Sequence, residues 1–169
     1  VLMDDLINKV IEKLKKRQAA NKILFLNELP SPPSEQLFVN YGCLILENVS
    51  VQFIKELYTL NCDDDWVSWI LNGINLDVHF YLKVNESIVN FIPRLMVLDW
   101  PVNFIVGRNS LIVANSNRVI SREEIAQLPD NAIFIKTTGQ ALTDEGLETC
   151  DMKHIKLKIR TEENCIWLK

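Results

Sequence analysis

The chain has 169 residues and a mass of 19.5 kDa, with 48% apolar and 24% charged residues. That is enough apolar side chain for one packed domain and too much for disorder. A net charge of -4 and a pI near 5.2 exclude the dense Lys and Arg surface that tracks phosphate backbones, so no nucleic-acid partner is expected.

Residues 1–17 read as a two-faced helix. Leu2, Met3, Leu6, Ile7, Val10, Ile11 and Leu14 recur at three- and four-residue spacing and form one apolar stripe, with a polar face opposite. Asp4 and Asp5 come early and Lys13, Lys15, Lys16 and Arg17 late, the charge order that complements a helix dipole. A lone helix of this length is marginal in water, so the stripe has to pack on its own domain or on another protein. Leu6, Ile7, Val10, Ile11 and Leu14 are the candidate protein-contact residues. Residues 18–22 form a polar bridge, which divides the chain into an N-terminal helix with linker at 1–22 and a single α/β domain at 23–169.

Residues 23–26 are a short apolar run with strand character. Pro30, Pro32 and Pro33 then forbid regular structure. Phe38 and Val39 read as a strand, Tyr41 and Gly42 as a turn, and residues 44–48 as a second strand. The spacing of Val51, Phe53, Ile54, Leu57, Tyr58 and Leu60 predicts a helix packed on a sheet. Asp63, Asp64 and Asp65 open another at residues 66–72, with Gly73 as its stop. Residues 78–82 are rich in strand formers, and 88–98 is an apolar stretch broken by Pro93.

Residues 102–106 and 111–114 read as strands joined by a turn at 107–110. From there residues 118–160 form a C-terminal helix-strand unit. Ser121 and Glu124 have capping-box spacing, so a helix begins at Arg122 and ends before Pro129. A strand at 132–136, a helix capped by Thr143 and running through Cys150, and a strand at 154–160 complete it. In that last strand Ile155, Leu157 and Ile159 alternate with Lys156, Lys158 and Arg160, predicting an apolar inner face and a basic wet one. The fold class is α/β: a compact mixed sheet with flanking helices, preceded by an N-terminal amphipathic helix.

No catalytic, cofactor-binding or metal-binding residue emerges. The acidic triplet suits a helix start better than a cation loop. His79 and His154 fall in predicted strands with no nucleophile or carboxylate motif beside them. Lys136, Thr137, Thr138 and Gly139 carry the residue types of an anion-binding turn without a second glycine. Cys43, Cys62, Cys150 and Cys165 are scattered, without the paired spacing or histidine companions of a zinc site, and read as reduced thiols. Trp66, Trp69, Trp100 and Trp167 read as core or interface aromatics. No apolar run approaches a membrane span of roughly 18 residues, and the acidic start is unlike a secretory leader, so the expected setting is the cytoplasm without a membrane partner.

The order of parts resembles the PduM family of bacterial microcompartment proteins, which accompany the coenzyme-B12-dependent propanediol-utilisation machinery. The likeness rests on LINKVIEKL at residues 6–14, LILEN at 44–48, VHFYL at 78–82 and the Ile92-Pro93 pair. Its most specific part is C-terminal: VISREEI at 119–125, AIFIK at 132–136, ALT at 141–143 and IKL at 155–157. A related C-terminal unit occurs in accessory proteins of ethanolamine-utilisation microcompartments, where Leu-Thr is followed by Pro and Ala. Here Thr143 is followed by Asp144, Glu145 and Gly146. The resemblance implies a protein that is not an enzyme and has no cofactor, acting in compartment assembly inside the cytoplasm with a shell or cargo protein as partner. A small cofactor- or nucleotide-binding enzyme of the same pathway is the competing expectation, motivated by the α/β pattern.

Overall fold

The computed structural model describes residues 2–161. Trp167 and Cys165 lie outside the described residues, as does the side chain of Leu2. Helix α1, Leu2–Ala19, is followed after a single residue by strand β1, Asn21–Phe25. The chain then passes through α2, Gln36–Asn40, into β2, Cys43–Glu47. The expectation of a strand at Phe38 and Val39 is corrected here. β1 and β2 run parallel, Asn21 beside Cys43 and Phe25 beside Glu47, and parallel neighbours need a crossover that climbs back over the sheet, which a hairpin turn does not provide. Phe38 is the buried anchor of that crossover, its ring 4.7 Å from Trp69.

Two helices make the next crossover, α3 at Val51–Tyr58 and α4 at Asp65–Asn75. Ser50 caps α3, its hydroxyl accepting from the Phe53 N–H at 3.1 Å. The Asp64 carboxylate caps α4, accepting from Trp66 and Val67 at 2.9 and 3.1 Å. Gly73 does not stop α4, as its position suggested; the helix continues to Asn75. A Cβ there would stand 2.5 Å from the Phe80 ring, so Gly73 is the point of closest approach between helix and sheet. β3, His79–Val84, follows, then a 3₁₀ turn at Glu86–Phe91, α5 at Arg94–Asp99 and β4 at Val102–Val106.

β1 to β4 are parallel and adjacent in chain order. Leu24, Leu44, Leu46, Phe80, Leu82 and Phe104 on one face are buried with Ile54, Ile70 and Met96 of the helices. On the opposite face Ile45, Tyr81 and Ile105 are half-buried, while Ile23 and Phe25 are exposed. Among the described residues, the first half of the molecule is therefore two layers, with its helices on one side of the sheet.

Gly107, at φ +60°, turns β4 into antiparallel β5, Ser110–Ala114, and reverses the sheet's direction. Short strand β6, Val119–Ile120, helix α6, Arg122–Ala126, and β7, Ile133–Thr137, follow. The same sequence of parts runs again: β8, Ala141–Leu142, α7, Asp144–Met152, and β9, Lys156–Arg160. This is a strand, short strand, capped helix repeat with a period of roughly 23 residues. β5, β7 and β9 are mutually parallel and complete a seven-stranded sheet, and β6 pairs with β8. Here both faces are covered. Ile112, Ile133 and Ile135 join the first core, whereas Phe134 packs with Ile120, Ile125, Cys150 and Ile155 beneath α6 and α7.

The wet face expected of the last strand is corrected in part: Ile155 and Leu157 do pack on the second core and Lys156 is exposed, but the pattern breaks beyond them. Lys156, Lys158 and Arg160 face the 3₁₀ turn: both lysines reach Glu86, at 3.3 and 3.8 Å, and buried Arg160 donates to the carbonyls of Ile92 and Val89 at 2.5 and 2.6 Å. Ile159, on the side expected to face inward, is left in water, 64% exposed.

Candidate protein-docking site

The residues weighed for chemistry do not assemble. Asp64 is occupied as a cap, and among the described residues no group of three His, Cys, Asp or Glu converges to hold a metal ion. His79 begins β3 and is exposed. His154 lies outside the strand expected for it, exposed in a left-handed turn at φ 54° before β9. The turn after β7 has its amides in use, Thr137 donating to the Gln140 side chain at 3.1 Å and Thr138 to the Arg160 carbonyl at 3.0 Å. Burial pushes the thiols of Cys43 and Cys150 up, Asp151 adding to the rise at Cys150, which lowers their thiolate fraction at neutral pH. Trp69 is buried, in edge contact with Trp66 at 5.4 Å, and Trp100 stacks on Tyr58 at 5.7 Å.

A crevice of about 630 Å³ does open at the carboxyl ends of β2 to β4, lined by Glu47, Asn48, Ser50, Lys83 and Glu86 among others. Its one cation, Lys83, is held by Glu47 at 2.7 Å. Ligand crevices of open α/β sheets form where the strand order switches and helices lie on both faces. β1 to β4 are in simple order, so this crevice does not lie at such a switch.

α1 has a different character. Met3, Leu6, Ile7, Val10, Ile11 and Leu14 are between 42% and 75% exposed; all five candidate contact residues lie on one outward stripe. The helix is nevertheless fixed at its base. Arg17 donates from Nε to the Phe38 carbonyl at 2.6 Å and from the guanidinium to the Leu76 carbonyl. The Gly42 N–H donates to the Arg17 carbonyl at 2.8 Å, an approach so close that a Cβ on Gly42 would collide with that oxygen. Where α1 leaves the body, Val10 and Leu14 with Phe38, Val39 and Leu76 floor an apolar groove of about 520 Å³, and Lys13 and Lys16 stand at its rim. Val39 and Leu76, 71% and 51% exposed, were not legible as site residues. Each belongs to a different element, and only the packing of α1 against α2 and the end of α4 brings them beside the stripe.

Fold and site together define a class: an α/β domain that carries an amphipathic helix with its apolar side outward. A family model described as "Putative propanediol utilisation" matches residues 5–156, and the chain belongs to that propanediol-utilisation family. No curated protein and no solved structure shows a match.

Proposed function

We propose that this protein is a non-catalytic structural or assembly factor of the microcompartment that degrades propanediol, of the PduM type, and that it associates with a shell or cargo protein through Leu6, Ile7, Val10, Ile11 and Leu14. The observation that carries the reading is an apolar stripe left in water on a helix whose base is pinned. Burying the remaining exposed part of these side chains on a partner would contribute about 1 kcal/mol each, and a fixed helix loses little entropy on docking. Helix-in-groove recognition uses anchors at this spacing. Residence in the compartment, within the cytoplasm, follows from the same contact.

Deletion of residues 2–14 tests it, because the cut spares Arg17 and its two carbonyl partners. The truncated protein is expected to keep its fold by circular dichroism and thermal melting but to be lost from purified compartments. Unfolding of the truncated protein, or its undiminished recovery with compartments, overturns the proposal. A clear thermal shift of the full chain with a flavin, cobalamin, a nucleotide or coenzyme A would instead favour a cofactor-binding role, since a ligand of the native state raises its melting temperature by mass action.

A further inference from the structure

Among the described residues the two edges of the large sheet differ in how they are guarded. β9 forms one edge and carries Lys156, Lys158 and Arg160 along one side, and charges of one sign on an edge keep other strands away. β1 forms the other edge, five consecutive residues in register with β2 and no proline among them. The Cys43 N–H donates to the Ala20 carbonyl and the Leu26 N–H to the Glu47 carbonyl, at 3.3 and 3.2 Å, which fixes the alternation between them. Lys22 and Leu24 therefore bond inward to β2, while Asn21, Ile23 and Phe25 turn their N–H and C=O groups outward. These three also carry their side chains on the open face of the sheet, where Ile23 and Phe25 are 46% and 40% exposed. The one charge of β1, Lys22, lies on the helix side with its ammonium 5.7 Å from the Tyr41 ring. Backbone donors and acceptors at this spacing are matched in plane by another strand.

We propose that the outer edge of β1 pairs with β1 of a second copy of this chain, antiparallel about a two-fold axis at Ile23. Ile23 of each copy then donates to and accepts from Ile23 of the other, and Asn21 lies opposite Phe25. The strand itself argues for this occupant. The two-fold axis sets every outward donor against an outward acceptor; the Phe25 carbonyl, which already accepts from Glu28 at 3.1 Å, has a second lone pair for the purpose. Ile23 lies opposite its own copy and diagonal to Phe25 on the same face, so the exposed apolar pair of one strand covers that of the other. Lys22 falls opposite Leu24, and no like charges meet. β9 paired with itself would instead set lysine against lysine. The contact is smaller than the roughly 800 Å² per partner of a stable complex, so the association belongs to the micromolar-to-millimolar range. It joins the seven-stranded sheets of both copies, leaves the α1 stripe free, and goes beyond the function proposed above without depending on it.

The test is the mass of the full chain by sedimentation or light scattering from about 1 μM to about 1 mM. The mass is expected to rise with concentration from 19.5 kDa toward twice that value. Ile23→Lys and Ile23→Glu each set like charges across the axis, where facing Cα atoms stand about 5.5 Å apart, and each is expected to weaken association at least about tenfold with an unchanged circular dichroism spectrum. Mixed in equal amounts the two variants regain the dimer, less readily in high salt, where charges are screened. That recovery requires residue 23 of one copy to face residue 23 of the other. Ile23→Pro removes the outward N–H without breaking a bond to β2, and is expected to weaken association likewise. A monomer throughout, a dimer indifferent to Ile23→Lys or Ile23→Pro, a mixture no heavier than its components, or growth beyond two copies, as head-to-tail pairing of β1 with β9 would give, overturns the proposal. A native dimer in Ile7→Glu, Ile11→Glu supports it whether or not that variant is lost from compartments, so the two readings fail separately.

Discussion

Glu124 shows how much one side chain can hold in this fold. Its carboxylate accepts from the Ser121 N–H at 2.7 Å, closing the capping box of α6, and from the side-chain amides of Asn117 and Asn115. The backbone hydrogen bond at Ser121, then the Asn117 amide, hold its pKa below the ordinary glutamate value. A depressed folded-state pKa means that the ionised group stabilises the protein above the ordinary glutamate range, and that this contribution is lost as pH falls through the folded value. Glu124→Gln is therefore expected to be less stable than the native chain at neutral pH, with the gap closing as pH falls below about 4; chemical denaturation across that range measures it. Gly73 is a second such position. Gly73→Ala drives a methyl into the Phe80 ring and should cost about 1–3 kcal/mol in spite of the better helix propensity of alanine. The capping box was legible in the sequence because it is local, three residues apart. Gly73 was read as a helix stop because what it touches comes from a strand that the sequence alone does not place.

At the scale of elements, helices with local signatures appeared where expected, while strand faces followed their partners. The alternation in β9 holds at Ile155 and Leu157, which face the second core, but at the end of the strand the 3₁₀ turn decides, its Glu86 and its Val89 and Ile92 carbonyls drawing the basic side chains. Arg160→Met, which leaves the Val89 and Ile92 carbonyls buried without these donors, should destabilise by about 2–3 kcal/mol. Ile159→Glu, on the face first read as core, should change stability by less than about 0.5 kcal/mol. Equilibrium unfolding of the two variants reads the orientation of the strand directly. The repeat from β5 to β9 escaped the sequence reading because Ile125 and Leu147, its matching apolar residues, part company in packing: the first is buried, the second exposed. Only capping residues Ser121 and Thr143 and the left-handed residues Asn131 and His154 keep the register visible.

For the whole molecule, alternating strands and helices sufficed for the α/β class, but not for the parallel order of β1 to β4 or the reversal at β5, which depend on contacts far apart in the chain. The stripe of α1 was fully legible; the groove beside it was not. The central claim is that this stripe faces a partner rather than the core of its own chain. Recovery of full-length Ile7→Glu, Ile11→Glu protein in purified propanediol compartments, with the melting temperature as control, measures that claim most directly. A native melting temperature with recovery reduced at least tenfold is the result expected; native recovery, or a protein that has lost its fold, would contradict it.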